Sequence, residues 1–304
     1  MASWVEQFDS MCAAWLPDLT VMCDEPMCEH TTLRIGGNAR RFTRPNSQQE
    51  LSGLLAVAEE AGVPYLVVGN GSNLLVADEG VDRLVIHTGA MDQMVLRSGN
   101  TISASAGVSL ARLAVFARKH GLSGLEFAHG IPGSLGGAVC MNAGAYGGEM
   151  CQVITEVTAW LPGKGVCRLT ADEADFGYRH SWFSDNEGVV LAAEMQLTQD
   201  DEDEIQKRME ELIRRRREKQ PLEYPSAGST FKRPEGHFAG ALIEQCGLKG
   251  YRVGGAEVSE KHAGFVINKG GATCRDMLTL IEKVQAAVYA ATGVKLEPEV
   301  KIIR

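Results

Sequence analysis

Several features that would direct the chain to a special environment are missing from its 304 residues. No window approaches the roughly 18 uninterrupted apolar residues of a membrane-spanning helix. The N-terminus also lacks the basic and apolar segments of a secretory signal. The eight cysteines form no C-x-x-C pair and have no histidines at zinc spacing. We expect a cytoplasmic protein with reduced cysteines, no membrane insertion and no metal, with a site at Cys23, Cys28 and His30 as the minor alternative.

Positive charge is also scarce, because 30 lysines and arginines face 39 acidic residues, for a net charge of −9. Nucleic-acid-binding domains are usually basic, so we expect no nucleic-acid partner. The only basic cluster, Arg214–Arg217, lies in a predicted charged helix at residues 201–219, beside Glu210, Glu211 and Glu218. This spacing favours a solvated, salt-bridged helix face over a nucleic-acid contact.

The length favours about two domains, with one or three also allowed. Secondary-structure signals and glycine content divide the chain into three segments. Residues from about 20 to 88 alternate helix and strand signals, residues from about 89 to 200 are richer in short strands and glycine, and a proline-containing break at Pro221–Pro225 precedes the last part. We predict domains at residues 1–88, 89–220 and 221–304.

Helix ends are signalled locally. Ser47 and Glu50 have the spacing of a capping box, in which each side chain satisfies the other's main-chain amide. Gly62 is then a plausible stop for the helix that follows. Residues 277–288 carry an apolar stripe at helical spacing, and Gly293 is predicted to end that helix.

Glycine is the compositional outlier, at 34 of 304 residues, or about 11% against a usual 7%. A predicted strand, Tyr65–Val68, runs into Gly69–Asn73. A turn of this kind aims successive main-chain N–H groups at an anion such as a pyrophosphate. Leu74 replaces the third glycine of the dinucleotide fingerprint, and no P-loop lysine follows. A tight turn between strands is the alternative interpretation.

A second glycine-rich segment contains six glycines in the eighteen residues from Gly130 to Gly147. Glycine weakens helices and strands by roughly 0.5–1 kcal/mol each relative to alanine, so its concentration here indicates main chain that approaches a flat or charged ligand. Asn142 is a candidate for a hydrogen bond to a ring edge or a phosphate. A glycine-rich linker is the alternative.

Three further segments carry polar groups suited to an anionic substrate. Arg179, flanked by aromatic residues, is suited to bidentate binding of a carboxylate or, alternatively, to surface stacking on Tyr178. Ser226 and Ser229 lie in a Pro/Gly turn, where they face an anion or only cap the turn. No G-x-S-x-G elbow is present, so a hydrolytic triad is not expected. Glu299, beside a proline, is either functional or part of a solvated strand edge.

Five sequence blocks occur in an order that is specific to one family: VGNGSNLLV, GLEFAHGIPGSLGGAVCMNAGAYGGE, FGYRHSWF, PSAGSTFKRP and GLKGYRVGGAEVSEKHAGFVIN. With flanking segments from Thr31 to Val300, they resemble the UDP-N-acetylenolpyruvoylglucosamine reductase (UDP-N-acetylmuramate dehydrogenase) family over most of the chain. The short interval between Arg179 and Ser226 is similar to the type II form, which lacks the substrate-covering tyrosine loop of type I.

The resemblance implies an α+β fold of the vanillyl-alcohol-oxidase (PCMH) type. In it, residues 1–88 and 89–220 form two α+β FAD-binding subdomains, and residues 221–304 form a C-terminal α/β substrate-binding domain. It also implies that NADPH reduces non-covalent FAD, which then reduces UDP-N-acetylglucosamine enolpyruvate to UDP-N-acetylmuramate for the bacterial cell wall. We expect a monomer or a weak homo-oligomer.

Site residues follow from the matched blocks. The resemblance implies that Arg179 stabilises the substrate carboxylate, that Glu299 helps to polarise it in a protonated form, and that Ser229 donates a proton. The substrate contacts so implied are Tyr178, Lys249 and His262. The cofactor contacts so implied lie in the two glycine-rich segments: Gly69, Asn70, Gly71, Ser72, Asn73, Gly130, Ile131, Pro132, Gly133, Ser134, Gly136, Gly137, Asn142, Ala143, Gly144 and Tyr146.

Two other functions are weighed against this one. An FAD oxidase of the same fold, acting on an alcohol or sugar, would be expected to show a histidine or cysteine covalent-flavin motif near the glycine loops, and none is recognisable. A non-catalytic nucleotide-sugar or nucleic-acid binding module would use Arg214–Arg217, but the net charge of −9 argues against it.

Overall fold

The computed structural model describes residues 3–304. Its helices are distributed along the whole chain, and several are short. They are α1 (Trp4–Trp15), α2 (Gln48–Glu60), α3 (Leu110–Lys119), α4 (Leu135–Cys140), α5 (Trp182–Asp185), α6 (Glu202–Lys219), α7 (Ala239–Gln245) and α8 (Cys274–Thr292).

The strands are mostly short and alternate with these helices. They are β1 (Val21–Pro26), β2 (Asn38–Thr43), β3 (Tyr65–Val68), β4 (Leu74–Val76), β5 (Val81–His87), β6 (Met94–Leu96), β7 (Thr101–Ser105), β8 (Leu122–Ser123), β9 (Gly144–Ala145), β10 (Gly148–Glu149), β11 (Ile154–Leu161), β12 (Gly165–Thr170), β13 (Val189–Gln196), β14 (Thr198–Gln199), β15 (Arg252–Val253), β16 (Ala256–Val258), β17 (Val266–Asn268) and β18 (Lys301–Ile303).

These strands form one five-stranded antiparallel sheet, in the order β12-β11-β13-β7-β6, and several smaller sheets. A four-stranded sheet, in the order β1-β2-β5-β3, contains the parallel pair β3 and β5. The antiparallel strands β15-β16-β17 form a three-stranded sheet, and β4 pairs with β18 in parallel.

The chain divides into two compact units, each built from three separate stretches. Unit 1 comprises Met1–Cys23, Arg41–Asn70 and Arg83–Arg214, and unit 2 comprises Asp24–Arg40, Gly71–Asp82 and Arg215–Arg304. The three-domain division with boundaries at residues 88 and 220 stays a prediction.

Unit 1 contains two hydrophobic cores. In one, the buried face of α3 packs with Ile102 of β7 and Val157 of β11, because Leu110 and Leu113 recur at helical spacing. In the other, α1 and α2 bury their apolar faces with Leu84 of β5. Burying a side chain of this size contributes about 1.5–3 kcal/mol, so the cores fix the loops that leave these elements.

Unit 2 is organised around α8, whose predicted apolar stripe is buried. Met277, Ile281 and Val284 pack in one core with Val258 of β16 and Ile243 of α7. The helix therefore anchors the three-stranded sheet and the loops beside it.

The predicted helix ends are confirmed, with one correction. Gly62 and Gly293 follow α2 and α8 with φ of +61° and +74°, the left-handed conformation that glycine adopts most readily. Ser47 Oγ accepts from the Glu50 amide at 3.2 Å, but the Glu50 carboxylate accepts from the amide of Asn46, not of Ser47. The predicted capping box is therefore wrong in its second half, because the carboxylate reaches one residue further back.

The eight cysteines are free thiols. Among residues 3–304, no helix combines the length and apolarity needed to cross a bilayer. Over the same residues, no group of three histidine, cysteine or acidic side chains is arranged to hold a metal ion. His30 instead contacts the Glu25 carboxylate through Nε2 at 2.8 Å.

Candidate active site

The two glycine-rich segments meet within unit 1. Asn70, in the loop after β3, donates from Nδ2 to the Pro132 carbonyl oxygen at 3.1 Å. A Cβ placed on Gly69 would lie only 2.0 Å from Ser134 Oγ, so this position requires glycine unless Ser134 moves. The structure therefore brings together residues that the sequence predicts, from two separate motifs, to bind one cofactor.

The rest of the first loop, Gly71–Asn73, lies in unit 2. Gly71 has φ of +58°, and a Cβ there would lie 2.0 Å from the His30 carbonyl oxygen. Within residues 3–304, the amides of Gly71, Ser72 and Asn73 donate no hydrogen bond to the protein. They are available to a ligand, and the anion nest stays a prediction. The Asn73 side chain donates from Nδ2 to the Glu299 carbonyl oxygen at 3.0 Å.

The second glycine-rich segment is ordered secondary structure, so the linker interpretation is wrong. Residues 135–140 form α4, and β9 and β10 form a hairpin directly after it. Tyr146 and Gly147 at the hairpin tip have φ of +55° and +89°, which a two-residue turn of type I′ requires. Gly136 packs so closely that a Cβ would lie 2.9 Å from the Cβ of Ala106.

Asn142 has a different environment from the predicted one. Its side chain is 1% exposed, and Nδ2 donates to the Gly177 carbonyl oxygen at 2.9 Å and to Glu149 Oε2 at 3.1 Å. Its Oδ1 accepts from the Cys151 amide at 2.9 Å. A side-chain hydrogen bond from Asn142 to a flavin ring or phosphate stays a prediction, and the amide is committed to protein partners.

Arg179 lies in a tight turn of unit 1. Gly177 and His180 exchange main-chain hydrogen bonds at 3.0 and 3.3 Å, and Arg179 between them has φ of +53°. Its Nη2 donates to the Gly144 carbonyl oxygen at 3.0 Å, and its Cζ lies 5.3 Å from the centre of the Tyr178 ring. The guanidinium therefore both stacks on tyrosine, as one interpretation predicts, and is oriented by the glycine-rich segment.

Ser229 and Glu299 lie on paired segments of unit 2. The Glu299 amide donates to the Thr230 carbonyl oxygen at 2.8 Å, and Phe231 forms an antiparallel bridge with Pro298. Ser229 is exposed, whereas Glu299 is half-buried. Ser226 is tied into the fold, because its carbonyl oxygen accepts from Thr32 Oγ1 at 2.7 Å. The structure thus distinguishes two serines that the local sequence leaves equivalent.

Comparison with known proteins gives concordant matches. A family model for the FAD binding domain matches residues 39–170, and one for the C-terminal domain of UDP-N-acetylenolpyruvoylglucosamine reductase matches residues 220–303. A UDP-N-acetylenolpyruvoylglucosamine reductase of Agathobacter rectalis is 51% identical over 300 residues, which cover 95% of each chain. The crystal structure of the Thermus caldophilus reductase aligns with a TM-score of 0.80 at 36% identity, covering 94% of this chain and 99% of that one.

This chain belongs to the UDP-N-acetylenolpyruvoylglucosamine reductase family. The reductase is an FAD-dependent oxidoreductase, which confirms the predicted family, cofactor and enzyme class. It shares its fold with a crystal structure of alkyldihydroxyacetonephosphate synthase, at a TM-score of 0.50 and 21% identity over 65% of this chain and 44% of that one. The predicted vanillyl-alcohol-oxidase type of FAD-binding fold is confirmed.

The glycine-rich residues of the reductase fit FAD. Ser134 is 1% exposed, and its hydroxyl has no hydrogen-bond partner within residues 3–304. A buried hydroxyl without a partner costs about 1–3 kcal/mol, so a polar ligand atom beside it is the natural way to satisfy it. The Ser134 hydroxyl occupies the space that a side chain at Gly69 would fill, so glycine at this position lets the hydroxyl lie against the loop after β3. The other predicted cofactor contacts stay predictions.

The predicted substrate contacts of the reductase differ in their electrostatics. Lys249 Nζ forms an ion pair with Glu244 at 2.6 Å. His262 accepts from the Gly264 amide through Nδ1 at 3.1 Å, and burial lowers the pKa of its imidazole. His262 is therefore a neutral hydrogen-bonding group at neutral pH, with its proton on Nε2. Tyr178 is 53% exposed, beside Arg179.

Sequence reasoning missed the residues that hold the site in place. Ser181 and Ser184 both donate from Oγ to the Cys140 carbonyl oxygen, at 2.9 and 2.7 Å. Thr230 is buried, and its Oγ1 accepts from the Val266 amide at 2.9 Å. The serines carry a recognisable signal, since they lie three apart at the start of α5. Thr230 carries no signal beyond its position next to Ser229.

Proposed function

We propose that this chain reduces UDP-N-acetylglucosamine enolpyruvate to UDP-N-acetylmuramate in peptidoglycan synthesis, with NADPH as the reductant. The observation that carries the proposal is the similarity to the reductase of Agathobacter rectalis over 95% of both chains. The arrangement of Arg179 adds a chemical reason, since this cation is suited to an anionic substrate.

FAD, held by the glycine-rich segments around Gly69 and Ser134, would supply a hydride for the vinyl carbon of the substrate, with NADPH as the source of the electron pair. Hydride addition places negative charge on the adjacent carbon and, by conjugation, on the carboxylate. Arg179 stabilises that charge with a planar, permanently ionised donor whose orientation is fixed by the Gly144 carbonyl oxygen. Interactions that strengthen as charge develops accelerate the reaction more than uniform binding does.

The proposed role of Glu299 is to polarise the substrate carboxylate in a protonated form, as a hydrogen-bond donor. Its main chain is held by hydrogen bonds to Thr230 and Asn73, so the Glu299 side chain starts from a fixed position. Ser229 supplies the proton that completes the product. A serine hydroxyl is a weak acid in water, but an enolate is a much stronger base than a carboxylate, so the transfer is favourable within hydrogen-bond reach.

We also propose finer assignments. Residues 1–88 and 89–220 hold FAD, and residues 221–304 bind the nucleotide-sugar with Lys249 and His262. The enzyme is a cytoplasmic monomer or weak homo-oligomer.

An anaerobic stopped-flow experiment on the FAD-loaded enzyme tests the proposal. The flavin absorbance near 450 nm should bleach with NADPH and return when UDP-N-acetylglucosamine enolpyruvate is added, about one substrate being consumed per flavin. In a parallel run in air with an alcohol or sugar as the substrate, flavin reduction followed by rapid reoxidation by oxygen would instead support an oxidase. A flavin that NADPH reduces but the enolpyruvyl sugar never reoxidises would refute the proposed reaction.

Ser229→Ala tests the proton donor. We expect flavin reduction by NADPH to stay within about twofold of the original rate and reoxidation by substrate to slow by about 10²–10⁴-fold, the usual contribution of a positioned acid. Ser226→Ala is the matched control, because the structural contact of Ser226 is made by its carbonyl oxygen and survives the change. Equal losses in both half-reactions would rule out the assigned role.

A further inference from the structure

The buried amide of Asn142 joins two segments that are far apart in the chain. Its Nδ2 donates both to the Gly177 carbonyl oxygen and to Glu149 Oε2, while Oδ1 accepts from the Cys151 amide. All of these groups belong to unit 1. The side chain therefore fastens the turn that carries Arg179 to the end of the glycine-rich segment.

Three more hydrogen bonds join the same two segments. Arg179 Nη2 donates to the Gly144 carbonyl oxygen, and the hydroxyls of Ser181 and Ser184 donate to the Cys140 carbonyl oxygen. Asn142 lies between these attachment points in the chain and is 1% exposed. Its loss would leave the Arg179 turn held on only one flank.

The main chain on both sides of this contact is strained. Asn142 and Arg179 are non-glycine residues with φ of +40° and +53°. Such conformations cost about 1–3 kcal/mol each and persist only where surrounding contacts impose them. The hydrogen bonds of Asn142 are contacts of this kind, because they fix the main chain on both sides.

We propose that Asn142 is a positioning residue for Arg179, which it aims by holding the Gly177–His180 turn against the Gly144 carbonyl. The proposal rests on the role of Arg179 in the proposed function. It replaces a direct contact between the Asn142 side chain and the flavin with an indirect effect on the arginine. A misplacement of about 1 Å in a catalytic group costs up to 10²-fold in rate, so a modest loosening of the turn has a large kinetic effect.

Asparagine suits this position because its amide offers two donors and an acceptor in one plane. An aspartate side chain here would keep the size but lose both donors, and would bring a carboxylate next to Glu149, where Nδ2 now lies 3.1 Å from Oε2. Asn142→Asp is therefore a conservative change in shape and a severe change in hydrogen bonding. Asn142→Ser is the second variant, since the shorter side chain cannot reach both segments and adds no charge.

The kinetic test separates the two half-reactions of the FAD-loaded enzyme. For both variants we expect reoxidation by the enolpyruvyl sugar to slow by about 10–100-fold and flavin reduction by NADPH to change by less than about threefold. Ser184→Ala is the graded comparison, because it removes one bond between the same segments while Ser181 still occupies the Cys140 carbonyl, so it should slow reoxidation less than either Asn142 variant. A loss of FAD binding as the main effect would overturn the proposal in favour of a direct cofactor role.

A double-mutant cycle distinguishes positioning from general support. Once Arg179 is replaced by alanine there is no guanidinium to aim, so Asn142→Ser should slow substrate reoxidation less than about twofold further. Additive losses would show that Asn142 does not act through Arg179. If Arg179→Ala itself leaves reoxidation intact, the proposed function fails in its arginine role, and the two failures are thereby distinguished.

Limited trypsinolysis supplies a readout that needs no catalysis. The Arg179–His180 bond lies in the fastened turn, whereas the Lys164–Gly165 bond lies in the exposed β11–β12 hairpin and serves as the internal reference. We expect Asn142→Ser to raise cleavage at Arg179 by about tenfold relative to cleavage at Lys164. An unchanged ratio would contradict the proposed fastening.

Discussion

The two units position their proposed catalytic residues in different ways. In unit 1, Arg179 lies in an irregular turn with positive φ, held by side chains that reach across to main-chain carbonyls. In unit 2, Ser229 and Glu299 lie on two segments that are joined by main-chain hydrogen bonds. The Lys232 amide donates to the Glu297 carbonyl oxygen, and the Glu299 amide donates to the Thr230 carbonyl oxygen. The Arg179 turn is therefore fastened to its neighbouring segment by side chains, whereas the Ser229 and Glu299 segments are joined to each other mainly through the backbone, with the Asn73 side chain as an added contact to Glu299.

This difference matches the task proposed for each residue. A planar cation that stabilises developing charge must be aimed, and an arginine side chain has many rotamers, so added contacts are needed to fix it. A hydroxyl is short and has one rotatable bond beyond its backbone, so main-chain pairing of the neighbouring residues Thr230 and Phe231 is enough to place it. Any residue except proline supplies the amides of such a segment, which makes unit 2 the more tolerant of substitution.

The largest expected effect is at Arg179. Arg179→Ala should lower kcat/KM by about 10³-fold, because loss of one preorganised donor at developing charge costs about 10²–10³-fold and the positive charge is lost as well. Arg179→Lys should recover only part of this, since an ammonium cannot form the planar, two-point contact. Steady-state kinetics with the enolpyruvyl sugar measures both variants.

Arg168→Ala is the control for Arg179. Its side chain is 75% exposed and pairs with Glu156 at 3.4 Å, so removal should leave kcat/KM unchanged. If Arg179→Lys were fully active, a positive charge alone would be sufficient for the reaction. The orientation of the guanidinium would then not matter, and Arg179 would need no more positioning than the Ser229 hydroxyl.

Thr230→Val should have a smaller effect, on stability rather than chemistry. The change leaves the buried Val266 amide without the Thr230 hydroxyl, which should lower the free energy of unfolding by about 1–3 kcal/mol. The Glu299–Thr230 main-chain bond survives, so kcat should change less than about threefold. Urea unfolding and steady-state kinetics are the measurements.

Thr158→Val on β11 provides the comparison, because the Thr158 hydroxyl has no hydrogen bond to protein in the part of the chain that the structure describes. Thr158→Val should leave both the free energy of unfolding and kcat unchanged. A large fall in kcat with Thr230→Val would mean that unit 2 also relies on side chains to place its catalytic groups.

Much of the fold could be predicted because its signals are local. Gly62 and Gly293 end helices where the sequence predicts, since a left-handed residue after a helix is a property of a few neighbouring residues. The family and its cofactor were predictable from five ordered blocks, and the comparisons confirm them. Contacts between distant segments carry no such signal.

Asn142 illustrates what could not be predicted. Its partner Gly177 lies 35 residues away, so nothing near Asn142 in the sequence indicates whether its amide faces a ligand or the protein. The environment of Ser226 is similar, because its carbonyl oxygen accepts from Thr32, which is 194 residues away, while the choice of Ser229 as proton donor stays a prediction from the family resemblance. The prediction for Glu50 failed at short range instead. Its carboxylate accepts from the Asn46 amide, one residue before the Ser47 amide that the capping box requires.

The smallest expected effect concerns two histidines, one in each unit. The hydrogen bond that His180 donates to the Asp185 carboxylate raises the pKa of His180, whereas burial lowers the pKa of His262. The stabilisation from His180 is thus present below its unfolded-state pKa of about 6.5 and is lost as pH rises through the raised value. The contribution of His262 has the opposite sign, being present above about pH 6.5 and lost as pH falls. NMR titration of the ring protons should give midpoints on either side of 6.5, and Asp185→Asn should lower only that of His180. Midpoints that coincide would show that the two regions do not differ electrostatically.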